Sequence, residues 1–410
     1  MSPQSIRQAT KDNHTGQQDN AATTTPSVAA DSSLLPLNAL ATQNILIGTT
    51  PPIWWRLLRE NRFAVDWPYL PRLAYVCAMQ LSNILPAFLE ERRHGKAIAA
   101  TQIVEPPVFI LGHWRSGTTH LHYMMAQDER FCSPNNYQCG RPFAFLGSHC
   151  QGTENSFLAK LITGLGLFPD KRPMDNVAAA LDLPQEEEQP LFLASGLSPL
   201  GGWIFPRHAE QYDRYLTLHD LSPEEQKTIA ELYLWFYRKI TLRFAGRRLL
   251  LKNPPHTARI RFLRTLFPEA RFIHIHRDPQ ELFRSMRIFY EKLITMQTMQ
   301  RMTQDLVDET ILRRFEIIYQ AYFDDLATIP SGHHVDIPYA TLDKDPVGEL
   351  RRIYDTLDLG GWDTFEPRLK SYLGTVEHYE KNKAKPLSEP IRQRLAERWG
   401  PWTSRWGYEI

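Results

Sequence analysis

The spacing of apolar positions changes several times along the chain, and the changes mark out its elements. Residues up to about position 33 are rich in Gln, Asn, Thr and Ser without an apolar period, so 1–50 are expected to form a disordered tail. Two helical patterns follow, about Ile53–Glu60 and Pro68–His94, the second closing in the run Glu90-Glu91-Arg92-Arg93; residues 51–103 thus read as a helical N-terminal extension. Pro106-Pro107 then breaks the chain. Val108-Phe109-Ile110-Leu111, a continuous apolar run closed by Gly112, predicts a buried strand, and from Gly117 the pattern turns helical through Thr118, Thr119, Leu121, Met124 and Met125. The alternation recurs as a strand at Arg248–Lys252, a helix at Thr257–Leu266 and a strand at Arg271–His276. A further strand at His334–Pro338 leads to a helix at Val347–Leu357. Strands alternating with helices predict an α/β domain over 104–410, a parallel central sheet flanked by helices. Trp399, Trp402 and Trp406 are expected to pack the C-terminal segment down.

The apolar segment Tyr69–Leu89 is interrupted by Arg72, Gln80 and Asn83, each costly in hydrocarbon, so no transmembrane segment is expected. Ile53, Trp54, Trp55, Leu57, Leu58 and Phe63 crowd around Arg56 and Arg59. That leaves two readings of Pro51–Leu89 open, a peripheral membrane contact or an aromatic face packed on the main domain.

Composition narrows the partners. With 47 Lys and Arg against 46 Asp and Glu there is no global basic field, so nucleic acid is not an expected partner and charge recognition must be local. The four cysteines show neither zinc-site spacing nor disulfide density, and the start of the chain lacks a secretory pattern, which together suggest the cytoplasm. No His, Cys, Asp or Glu cluster falls at ligand spacing, and no metal is expected.

Local charge does appear at two strand ends. Gly112-His113-Trp114-Arg115-Ser116-Gly117-Thr118-Thr119 has the glycine spacing of a phosphate loop between a strand and a helix, where backbone N–H groups and the helix end converge on one anion; the alternative is an ordinary tight turn. Thr118 occupies the place of the lysine of a nucleoside triphosphatase loop, and the cation lies inside the loop as Arg115. At the second junction the strand delivers Arg277. Asp278-Pro279-Gln280-Glu281 then supplies a cap, a first-turn proline and a capping-box acid, and Ser285 follows eight residues after the arginine, so the fork of Arg277 and the hydroxyl of Ser285 suit one phosphate. Between Arg238 and Arg287 thirteen Lys and Arg face three acids, which supports an anion site around Lys252, Arg277 and Arg284.

These segments resemble the sulfotransferase family. Arg115-Ser116-Gly117-Thr118-Thr119 is similar to its 5′-phosphosulfate loop, and Arg277 through Ser285 to its 3′-phosphate motif. The likeness continues through Leu251–Pro254, Ile337–Leu342, Lys381-Asn382-Lys383 and Trp406–Tyr408. The resemblance implies a P-loop-NTPase-like sulfotransferase fold and transfer of a sulfuryl group from 3′-phosphoadenosine 5′-phosphosulfate (PAPS) to a hydroxyl or amine of a carbohydrate or small molecule. It also implies that Lys381 and Lys383 help to hold the nucleotide, and that Lys252, with His256 on the same segment, reaches the reacting groups. The acceptor must lose a proton; Glu186, then Glu188, in the run Pro184–Glu188 are the expected bases, with His113 and His120 as weaker candidates. Two rivals remain open, a phosphate-loop small-molecule kinase and a non-catalytic binding protein of this fold. Oligomeric state is not indicated.

Overall fold

The computed structural model describes residues 33–37, 44–147, 180–376 and 386–410, so Lys381 and Lys383 lie outside the described residues. Five parallel strands run in the spatial order β2-β3-β1-β4-β5. They are β1 (Val108–Leu111), β2 (Phe131–Cys132), β3 (Arg248–Lys252), β4 (Arg271–His276) and β5 (His334–Pro338). Parallel strands need crossovers, and helices on both faces bury the sheet, which is why β1 is apolar throughout rather than alternating. Its residues serve two cores in turn: Phe109 and Leu111 pack with Leu249, Leu251 and Phe272 on one face, Val108 and Ile110 with Leu250, Ile273 and Ile337 on the other.

Strand order reverses at β1. The chain leaves it for β2 and β3 on one side and returns to β4 and β5 on the other, pairing Ile110 with both Lys252 and Ile273. The carboxyl ends of β3, β1 and β4 therefore open side by side, the position where open parallel sheets bind ligands.

The N-terminal helices differ in detail from the sequence pattern. Helix α1 is Pro51–Glu60, and the second pattern divides into α2 (Leu70–Leu81) and α3 (Ile84–Ala100). The break falls where Asn83 turns inward and donates to the carbonyls of Ile47 and Thr49. Helix α3 runs past the charged segment because Glu90 is drawn into the protein, where it pairs with Lys239 and accepts from the amides of Leu146 and Gly147.

Helix α4 (Thr118–Met125) follows the β1 loop, and α5 (Glu188–Ser195) leads toward the long α6 (Pro223–Arg243). After β3 a short 3-10 turn, Pro254–Ala258, precedes α7 (Ile260–Leu266), since Pro254 and Pro255 delay the regular helix. Helix α8 (Pro279–Phe289) starts as its sequence suggests, with Asp278 accepting from the Glu281 amide at 2.9 Å. The Glu281 carboxylate pairs with Arg277 instead of closing the box. Next come α9 (Gln304–Leu326), α10 (Pro346–Thr356), α11 (Trp362–Val376) and α12 (Glu389–Thr403). The C-terminal segment is fastened by aromatic contacts: Trp399 stacks on Phe315 at 3.9 Å, and Trp406 donates to Asp336 at 2.8 Å beside the sheet.

Candidate active site at three strand ends

The loop leaving β1 turns because two glycines and one arginine adopt left-handed backbone. Gly112 has φ +140°, Gly117 φ +106° and Arg115 φ +71°. Glycine takes such angles without steric cost; a non-glycine residue there costs on the order of 1 kcal/mol. A side chain on Gly117 would also collide with Tyr339, since a Cβ would lie 2.4 Å from the ring. Inside the loop the Ser116 hydroxyl and amide both donate to the His113 carbonyl, at 2.8 and 3.2 Å, and the Gly112 amide donates to Thr257 at 2.7 Å. The Ser116 hydroxyl thus braces the turn. The first amides of α4 have no acceptor within the helix, the arrangement by which a helix start can face an anion.

Arg115 points across to the second junction, its Nε donating to the Ser285 hydroxyl at 3.0 Å. Arg277 returns the link by donating to the Arg115 carbonyl at 3.4 Å. Its guanidinium is held between Glu281, 2.9 Å away, and the face of Tyr339, 4.7 Å from the ring centroid. The two sequence motifs thus meet in space, and Tyr339 supports both by packing on Gly117 and under Arg277. Arg284, next to Ser285, has a buried Nε without a hydrogen-bond partner.

The third strand end carries an acid–base ladder that the one-dimensional pattern did not reveal. Three consecutive glutamates face three basic residues at spacings of four and three: Glu186 meets Lys252 at 2.9 Å, Glu187 meets His256 at 2.8 Å, and Glu188 meets Arg259 at 2.7 Å. Each rung has a different environment. Glu186 remains 19% exposed, the only rung with an acid open to the solvent side, while Lys252 below it is 4% exposed. Glu187 and His256 are fully enclosed, and the Tyr237 hydroxyl lies 3.3 Å from the acid and 3.2 Å from the imidazole. Glu188 also accepts from Asn253 and Ser198, both at 2.6 Å. Burial by itself would raise its pKa, but the charge and hydrogen bonds of Arg259, with Asn253 and Ser198, hold it below the usual carboxylate value.

This corrects the expectation for Glu188: an enclosed carboxylate with both oxygens occupied cannot reach an acceptor, and it serves as a structural anchor. His256 likewise lies enclosed, a layer below the opening, with Nε2 at 2.8 Å from Glu187. His113 is enclosed, pushed down to about 4 by burial, and its ring Nδ1 engages the Trp114 carbonyl at 2.9 Å, so it braces the loop as a neutral ring. His120 is half-buried on α4. His122, on the same helix, was not singled out by its sequence context; burial first and then the charge of Lys252 push it down to about 3, and Nε2 meets the Ser133 hydroxyl at 2.9 Å. Among the described residues no group of His, Cys, Asp or Glu is arranged to hold a metal ion.

Residues 106–364, which carry all three junctions, match the model of the sulfotransferase family, and the chain belongs to that family. The omega-hydroxy-beta-dihydromenaquinone-9 sulfotransferases Stf3 of Mycobacterium bovis and Mycobacterium tuberculosis are each 31% identical to it over 363 residues, spanning 88% of this chain and 91% of theirs. Among solved structures, the sulfotransferase STF9 of Mycobacterium avium superposes with a TM-score of 0.61 at 18% identity over 92% of this chain and 94% of that one. STF1 of Mycobacterium tuberculosis gives 0.57 at 18% identity over 78% and 83%. These likenesses establish the shared fold, a parallel sheet with flanking helices built around a phosphate-type loop.

Proposed function

We propose that the chain transfers a sulfuryl group from PAPS to the hydroxyl of an apolar, chain-bearing alcohol, with 104–410 as the transferase domain. The observation carrying the donor assignment is the joining of the loop to the Arg277–Ser285 junction through the Arg115–Ser285 bond, which makes one continuous anion-binding edge. Along that edge the α4 amides and Arg115 suit the 5′-phosphosulfate, and Arg277 with Ser285 the 3′-phosphate.

In the reaction the acceptor oxygen attacks sulfur, a new O–S bond forms, and the bond from sulfur to the bridging phosphate oxygen breaks. Negative charge grows on that departing oxygen, where Arg115 and the loop amides would meet it. The acceptor proton passes to Glu186. Lys252 holds the Glu186 carboxylate in place and adds positive charge at the end of β3, next to the loop. An apolar alcohol is favoured over a sugar because relatives at 31% identity are named for a hydroxylated menaquinone.

The test is transfer of radiolabelled sulfur from PAPS to a lipid extract and, separately, to simple phenols and sugars. Label in a chloroform-soluble alcohol is expected. Label appearing only in sugars would overturn the acceptor assignment, and none in any fraction would favour a non-catalytic binding protein.

A further inference from the structure

Helices α2 and α3 have their polarity reversed. In a helix packed on a soluble protein the apolar stripe faces inward. Here the inward positions are mostly polar: Arg72, Gln80, Asn83 and Glu90 are all buried, with Val76 and Ile98 the apolar residues among them. Arg72 donates to the carbonyls of Thr295 and Thr298, Gln80 to that of Leu46, and Asn83 to those of Ile47 and Thr49, while Glu90 pairs with Lys239. The outward positions between Trp67 and Leu89 carry no charge at all. Trp67 is 79% exposed, Leu85 63% and Phe88 59%, with Leu70, Leu81, Ile84 and Leu89 also more than half exposed. At about 1.5 Å per residue this strip is roughly 30 Å long. Such an apolar surface is far more than scattered exposed residues account for.

We propose that this strip docks the protein on a lipid bilayer, lying in its surface. Basic residues outnumber acids at both ends: Arg59 and Arg62 before it, where the exposed Glu60 is paired with Arg56, and Arg92, Arg93 and Lys96 after it beside the exposed Glu91. That pattern of an uncharged apolar strip between cationic ends matches the hydrocarbon boundary beneath anionic headgroups. The segment Trp67–Ala100 is long and apolar enough to cross a membrane by length and composition. Crossing is disfavoured because its polar face is bonded to the protein body and lipid could not surround it. A second copy is a poorer occupant, since cationic ends would oppose cationic ends in either orientation of a two-fold pair.

The strip is also wired to the site. Asn83 binds the Thr49 carbonyl, and the Thr49 hydroxyl donates at 2.8 Å to the carbonyl of Leu193 in α5, the helix that begins at the glutamate ladder. Docking would hold that end of the protein at the bilayer surface, an inference that rests on helix polarity and not on the identity of the acceptor.

Co-sedimentation of the full chain with phosphatidylcholine vesicles, with and without phosphatidylglycerol, tests it. Wild type is expected to partition more strongly with phosphatidylglycerol, Arg92→Gln/Arg93→Gln to lose that increment, and Leu85→Asp/Phe88→Asp to fall at least about tenfold. The milder Leu85→Ser/Phe88→Ser serves if the aspartate pair does not fold. No partition of wild type, or partition that the Leu85/Phe88 variants leave unchanged, would overturn the proposal. So would self-association of wild type in solution that these variants abolish, which would make the strip a dimer interface. Titration of the same variants with adenosine 3′,5′-bisphosphate separates the outcomes: the donor site can fail while docking stands, and the reverse.

Discussion

Glu186→Gln is expected to lower kcat by about 10²–10⁴-fold while leaving affinity for adenosine 3′,5′-bisphosphate within about twofold, the usual signature of losing a general base. Glutamine keeps the shape and a hydrogen-bonding carbonyl near Lys252 but cannot accept the acceptor proton. The effect is assigned to this rung because it alone places a carboxylate at the opening, with Oε2 held 2.9 Å from Lys252. Stopped turnover with intact nucleotide affinity supports the assignment. A variant with near wild-type kcat would remove Glu186 from the chemistry, and equal loss of both quantities would reduce it to a binding group.

Glu188→Gln is expected to cost about 3–5 kcal/mol of stability without touching the reacting atoms, because it leaves the Arg259 guanidinium charged and buried opposite a neutral amide. Both partners are 2% exposed, so solvent does not soften the loss. The pH dependence follows from the direction of the shift. Glu188 is held below its ordinary value of 4.5, so its contribution is complete above that value and is lost as pH falls through the lowered folded value. Wild type and variant therefore differ most near neutrality and converge in acid. Denaturant midpoints at about pH 7 and about pH 3 check this, and a difference under about 1 kcal/mol at neutrality would show that the pair is not the anchor described.

The two strand–helix junctions proposed for the donor were legible because each is local: a strand end, a glycine or a proline, and a helix start fall within about ten residues, and that spacing is enough to single out Arg115, Arg277 and Ser285. The ladder was not, since Glu186–Glu188 and Lys252–Arg259 are separated by more than sixty residues and nothing in either segment records which acid meets which base. Glu186 and Lys252 were both candidates, but their pairing, and the burial that removes Glu188, belong to tertiary structure. Helix α2 shows the opposite problem. Along the sequence Arg72, Gln80 and Asn83 interrupt an apolar segment, whereas in the fold they line its inward face together with Val76, and one sequence cannot tell which stripe of a helix meets the protein. Tyr339 came forward only through the family likeness, because its contact with Gly117 depends on β5 lying beside β4.

Calorimetric titration tests the proposed donor site directly and without knowledge of the acceptor. Adenosine 3′,5′-bisphosphate is expected to bind wild type at micromolar concentration and Arg277→Ala about 1.5–3 kcal/mol more weakly, the worth of a charge-assisted phosphate contact, with ATP–magnesium binding poorly to both. Tight ATP–magnesium binding with no preference for the 3′-phosphate, or bisphosphate affinity unchanged in Arg277→Ala, would contradict the assignment.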